Sequence, residues 1–92
     1  MAVFLVTYKV EKDLYHQCER SIENIFSASC KHMAPGIVFI EYGGHAPALL
    51  QEIKSNLAIP LEAIFLLPLG DEYAQFYRQQ KGDLQTWLEN AL

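Results

Sequence analysis

The sequence predicts an α+β fold in which one antiparallel sheet carries two helices. Two observations in the 92-residue chain support this prediction. Three short segments, Ala2–Val10, Gly36–Tyr42 and Ala63–Leu69, are apolar on both faces of a strand, and helical periodicity appears between them. A half-exposed strand alternates apolar and polar residues, whereas a run without alternation is usually covered on both sides. The fold must therefore hide both faces of its sheet.

The segment after the first strand has the period of an amphipathic helix. Asp13 is placed to cap it or to lie in its first turn, and Ser27-Ala28-Ser29 ends it. The apolar residues recur three or four positions apart and form one stripe. These residues are Leu14, Cys18, Ile22, Ile25 and Phe26.

The middle of the chain predicts a hairpin, a second helix and an edge strand. Pro35-Gly36 suits a type II turn, so Cys30–Ala34 pairs with the strand that follows it as a weaker, outer strand. Pro47 is well placed in the first turn of a helix. Pro68 has no backbone N–H to donate to a neighbouring strand, so the last strand is expected at a sheet edge.

The order of elements over residues 1–70 is strand, helix, strand, strand, helix, strand. This is the ferredoxin-like arrangement, and right-handed crossovers put both helices on one face of a four-stranded antiparallel sheet. Residues 71–92 predict a helical C-terminal extension of the same domain, with a last helical turn that carries Trp87. This tail is apolar enough to cover its own sheet or that of a partner, and the sequence leaves both open.

The sheet face away from the two helices is predicted from the parity of the strands. Glu41 should point away from the core, and because side chains alternate along a strand, Ile37 and Phe39 should point outward with it. Parity alone does not fix the outward set of the first strand. The outward residues are expected to be Phe4, Val6, Tyr8, Ile37 and Phe39. Such a face would not stay in water in a monomer, so we expect a homodimer.

Composition narrows the class of partner. Hydrophobic residues make up 51% of the chain and charged residues 20%, and the net charge is −4, which argues against a general binder of phosphate backbones. A local basic edge of Lys9, Lys12 and Lys31 keeps nucleic-acid binding as an alternative. No CxxC motif, signal peptide or membrane span is recognisable, so we expect a soluble, cytoplasmic protein with two free thiols.

Histidine and cysteine form one pattern that could bind zinc, His16-x-Cys18 and Cys30-x-His32. On a strand, Cys30 and His32 share one face, but on a helix His16 and Cys18 lie about 200° apart and cannot chelate together. We therefore expect Cys18 in the core and the histidines at the surface. Asp71, which follows the last strand, is expected to be an acid at a helix N-terminus rather than a metal ligand. No metal or cofactor is expected.

Two strands resemble the RNA-recognition motif. Gly36–Tyr42 is similar to the third-strand pattern of that motif, and Phe4 matches a stacking position on the first strand. The sequence departs from the motif at Pro35 and Ile37, where the motif has a basic residue and an aromatic one. Hydrophobic burial of the aromatic residues is therefore the preferred interpretation.

The segment MAVFLVTY at the start, the closing LPLG and the order of elements resemble the SinR-like relatives of the CRISPR-associated protein two family. The resemblance implies a ferredoxin-like homodimer that pairs through its sheet faces. In that family an Asp, proposed to bind a metal for nuclease chemistry, follows the Tyr that ends the first strand. Here that position is Lys9, and a protonated lysine does not ligate Mg²⁺.

The function expected from these observations is a non-enzymatic, homodimeric interaction or regulatory module, in a bacterial or phage defence-type system. The alternatives are a metal-dependent nuclease of the CRISPR-associated protein two type and a nucleic-acid binder that uses its sheet face.

Overall fold

The computed structural model describes residues 2–80 of the chain, with side chains for residues 2–75. Four strands form one antiparallel sheet in the order β2-β3-β1-β4. The strands are β1 (Ala2–Lys9), β2 (Cys30–Ala34), β3 (Ile37–Tyr42) and β4 (Ala63–Pro68), and the helices are α1 (Tyr15–Phe26), α2 (Ala46–Asn56) and α3 (Asp71–Gln80). The predicted α+β, ferredoxin-like arrangement is confirmed.

Local signals in the sequence account for most element ends. Pro47 lies in the first turn of α2, and Pro68 ends a strand that pairs on one side only, as predicted. The start of α1 differs from the prediction, because a short 3₁₀ turn precedes the helix. In this turn the Glu11 carboxylate accepts a hydrogen bond from the backbone N–H of Asp13, at 3.0 Å. Glu11 therefore caps this turn, and α1 itself begins after Leu14 without a side-chain cap.

One face of the sheet carries both α1 and α2 and forms the main core. Fully buried aliphatic residues from both helices pack against the middle strands β3 and β1. We name this face the helix side. Its buried residues are Phe4, Val6, Tyr8, Val10, Cys18, Ile22, Phe26, Val38, Ile40, Leu49 and Ile53.

The predicted outward set of the first strand is wrong. Phe4 pairs with Ile40 and Val6 with Val38, and directly paired residues of an antiparallel ladder point to the same face. The β3 partners lie in the helix-side core, so Phe4, Val6 and, by alternation, Tyr8 lie there as well. A shift of one residue exchanges the two faces of a strand, and both sets of β1 are apolar, so the pattern carried no signal to decide between them.

The outer face of the sheet is the one that α1 and α2 leave bare, and α3 covers one corner of it. Ala74 is 4% exposed and packs with Val3 and Phe39. This contact confirms the prediction that Phe39 points away from α1 and α2. Ile37 also lies on this face, opposite Thr7. The first turns of the tail thus cover the chain's own sheet, while the predicted turn at Trp87 lies outside the described residues. Among the described residues, no helix is long and apolar enough to cross a membrane.

Candidate functional site

An exposed apolar patch occupies the part of the outer face that the described side chains of α3 do not cover. The strand register aligns Ile37, Thr7 and Phe65 in one row across β3, β1 and β4. Phe65 is 63% exposed, and Leu67, two residues further along β4, is 45% exposed. We name these four residues the outer patch. An exposed phenylalanine and two exposed aliphatic residues on one sheet face are typical of an interaction surface.

The position of the outer patch follows from the chain path. Helix α3 begins directly after Gly70 and lies over the end of the sheet that holds Val3 and Phe39. The row that contains Ile37 lies two residues away from the row that contains Phe39, toward the other end of β3. Strand rows two residues apart are separated by about 7 Å along the strand. The outer face is therefore divided into a covered corner and the open outer patch.

Both signs of charge lie at the rim of the outer patch. The Lys9 ammonium is 3.9 Å from the Glu62 carboxylate, and both side chains are more than half exposed. Lys9 pairs with Ala63, beyond the outer patch on the same two strands. An exposed pair of this kind contributes little to the stability of a protomer and stays available for other partners.

The predicted basic edge is not a single cluster. Lys31 of β2 pairs with Phe39 of β3, which in turn pairs with Leu5 of β1. Leu5 and Lys9 are four residues apart on β1, so Lys31 and Lys9 lie at different positions along the strands. Lys12 lies in the 3₁₀ turn before α1. The structure thus separates Lys9 from Lys31 along the sheet, and one of the two is next to an acid.

The aromatic residues that resemble the RNA-recognition motif are not available for stacking. Phe4 is 2% exposed beneath the helices, and Phe39 is 4% exposed and packs with Ala74. Stacking on a base requires an open ring face on the sheet surface. The sheet-face mode of RNA binding is therefore closed at both positions.

A second group of polar side chains lies on the helix side, around His32 of β2. His32 pairs with Val38, which places it under α1, and its side chain is only 5% exposed. The prediction of a surface histidine is wrong here, although His16 is exposed as expected. The Nε2 atom of His32 is 2.9 Å from the Tyr8 hydroxyl. The Nδ1 atom is buried and has no hydrogen-bond partner.

Two carboxylates from α1 lie close to the His32 ring, and that of Glu23 is next to the unpartnered nitrogen. Glu19 and Glu23 lie one helical turn apart, which places them on one face of the helix. The Glu23 carboxylate is 3.7 Å from His32 Nδ1, and one oxygen from each glutamate and one ring nitrogen of His32 all lie within 4.8 Å of one another. We name Glu19, Glu23 and His32 the Glu-Glu-His cluster. It is the group of histidine and acidic residues, among those described, that could hold a metal ion.

Burial controls the protonation of this cluster. It lowers the pKa of His32, and the negative charges of Glu19 and Glu23 oppose that shift without reversing it. Burial also raises the pKa of Tyr8, so its hydroxyl keeps its proton beside His32 and Cys18. The histidine is therefore a neutral imidazole near pH 7, which is the form that ligates metals.

The cysteines do not join the cluster. Cys18 is fully buried in the stripe of α1, as predicted, and Cys30 shares a sheet face with His32, also as predicted. The Cys30 thiol, however, donates to the backbone carbonyl of Ser27 at 3.4 Å. Among the described residues, the side chains grouped with His32 as possible metal ligands are therefore glutamates and not cysteines.

Comparison of the chain with protein-family models, with curated proteins and with solved structures finds no match.

Proposed function

We propose that the protein is a non-enzymatic, homodimeric interaction module in which the outer patch contacts the same patch of a second copy. The observation that supports this most directly is the row Ile37-Thr7-Phe65, an apolar strip across three strands that the described helices leave open. Burying apolar area yields roughly 25 cal/mol per Å², and a second copy would provide that gain for a strip that the described residues leave open.

A second copy fits this surface better than a highly charged partner would. The outer patch contains no charged residue, and its rim carries Lys9 and Glu62 side by side. In a two-fold contact each patch meets itself, so a rim with both signs complements its own copy. Lys9 of one protomer would then face Glu62 of the other.

The resemblance in the first strand and in the order of elements supports a place in a bacterial or phage defence-type system. The same resemblance argues for an interaction role, because Lys9 stands where the related nucleases have their metal-binding acid. Two free thiols suit the reducing environment of the cytoplasm.

Sedimentation velocity of the full chain tests the dimer. We expect the wild type to sediment as a dimer at micromolar concentration and Phe65→Glu to sediment as a monomer, because a buried unpaired carboxylate opposes association. Ala58→Glu is the matched control, since it adds the same charge at an exposed position away from the outer patch. A wild type that stays monomeric up to 100 μM (an order-of-magnitude ceiling) would refute the proposal, and would favour residues 81–92 as the cover.

The two alternatives predict different results with nucleic acid. The nuclease alternative predicts cleavage of RNA or DNA with Mg²⁺ or Mn²⁺ that is lost in Asp71→Ala, whereas we expect no cleavage by either protein. The binding alternative predicts a gel shift that weakens steeply as salt increases. An absent or salt-independent shift would remove it.

A further inference from the structure

We propose that the Glu-Glu-His cluster binds one divalent transition-metal ion of the zinc type. The ligands would be one carboxylate oxygen each of Glu19 and Glu23 and the Nδ1 atom of His32. This site lies on the helix side of the sheet, opposite the outer patch, and does not depend on the proposed dimer.

The spacing of the three atoms suits such an ion. Metal–ligand bonds of about 2.0–2.1 Å in tetrahedral geometry place neighbouring ligand atoms about 3.3 Å apart. The Glu23 carboxylate oxygen is 3.7 Å from His32 Nδ1, and one oxygen of each glutamate and one ring nitrogen of His32 lie within 4.8 Å of one another. Glutamate side chains on a helix surface close gaps of this size by small rotations about their side-chain bonds.

The unpartnered nitrogen of His32 is the observation that distinguishes this cluster from an ordinary acidic surface. A buried polar atom without a partner destabilises the fold, and native structures rarely leave one unexplained. A metal ion would satisfy Nδ1 directly. At Nε2, the N–H would then donate to the Tyr8 oxygen at 2.9 Å, which fixes the tautomer that leaves Nδ1 free to ligate.

The ligand set indicates the class of metal. An imidazole nitrogen favours zinc, cobalt or nickel over magnesium and calcium, which prefer oxygen ligands alone. Two glutamates compensate the charge of a divalent ion. Glu23 is half exposed, so the ion would be reached from solvent and would keep at least one position for water.

Isothermal titration of untagged full-length protein with ZnCl₂ is the primary test, and visible absorption of the Co²⁺ form is the second. We expect one ion per chain and Co²⁺ bands of a four- or five-coordinate site. Glu23→Gln and His32→Gln should each weaken the affinity for Zn²⁺ at least tenfold. His16→Gln should leave this affinity unchanged, because His16 is exposed and lies on α1 outside the Glu-Glu-His cluster.

Two outcomes would overturn the proposal: a wild type that binds no Zn²⁺, or variants of the cluster that bind as tightly as the wild type. Glu23→Gln keeps the test decisive if the buried His32→Gln does not fold, because Glu23 is half exposed and contributes little to the core. Sedimentation with and without EDTA separates this site from the dimer, since we expect the oligomeric state not to change.

Discussion

His32 is a buried titratable residue, and it should make the protein less stable in acid. Burial lowers its pKa below the ordinary value of 6.5, while Glu19 and Glu23 from α1 act in the opposite direction, and Tyr8 meets the ring from β1. Below pH 6.5 the unfolded chain takes up a proton that the folded chain resists. The stability that this group contributes is complete above pH 6.5 and is lost as pH falls toward the lowered pKa.

Urea unfolding with EDTA at pH 7.5, 6.0 and 5.0 checks this prediction. We expect His32→Gln to lose less unfolding free energy than the wild type over this range, because glutamine does not titrate. His16→Gln should follow the wild type, since that histidine is exposed. Equal pH dependence of all three proteins would contradict the prediction.

Gly36 is required by the geometry of the turn between β2 and β3. Its φ is 83°, and a Cβ atom built there would lie 2.7 Å from the Tyr8 carbonyl oxygen and 3.2 Å from the Tyr15 ring. We expect Gly36→Ala to destabilise the protein by about 2 kcal/mol or more in urea unfolding. Gly70→Ala is the control, because a Cβ atom there meets nothing within 4 Å, and its effect should stay within about 0.5 kcal/mol. Similar losses at both positions would refute this account.

At the scale of the element, the described side chains of α3 hold it to the outer face through a small contact. Ala74 is its buried residue among those with described side chains, and it packs on Val3 and Phe39. We expect Ala74→Asp to reduce the unfolding free energy by about 1–3 kcal/mol, because the carboxylate would meet an apolar surface. Gln75→Asp adds the same group at the exposed neighbouring position. Thermal unfolding checks this, because each kcal/mol lost lowers the melting temperature by about 4–8 °C. Equal melting temperatures of Ala74→Asp and Gln75→Asp would contradict the docking of α3.

The elements were predictable because their signals are local. Pro35-Gly36, Pro47 and Pro68 each restrict the backbone wherever the chain goes, and the structure keeps all three roles. The faces of β1 were not predictable in the same way. Phe4 and Leu5 are both apolar, so only the pairing with β3 decides which of them meets the helices.

The Glu-Glu-His cluster shows a different limit of sequence reasoning. The spacing of Glu19 and Glu23 was visible, but on a solvated helix face two acids carry no signal of their own. Strand parity also placed Cys30 and His32 on one face. What was missing was the position of α1 over that face, and a right-handed crossover from β1 to β2 supplies it. Combining helix spacing with crossover geometry would have brought the three residues together.

At the scale of the whole molecule, the proposed dimer links folding to association. If heating makes the dimer dissociate as its protomers unfold, the melting temperature must rise with protein concentration. With an unfolding enthalpy near 0.7 kcal/mol per residue for two chains, a hundredfold increase in concentration should raise the melting temperature by about 8 °C. A monomer would show no such dependence, whatever covers its sheet.

Leu67→Glu supplies the decisive comparison for this dependence. Leu67 is 45% exposed in the protomer, so the substitution should disturb the fold of one chain little while it places a charge within the proposed interface. We expect scanning calorimetry between 2 and 200 μM (roughly the range in which micromolar dimers dissociate) to show the shift in the wild type and in Ala58→Glu. The shift should be absent in Leu67→Glu, whose melting temperature should not exceed that of the dilute wild type. A wild-type melting temperature independent of concentration, or a Leu67→Glu variant with the full shift, would exclude the outer patch as the dimer interface.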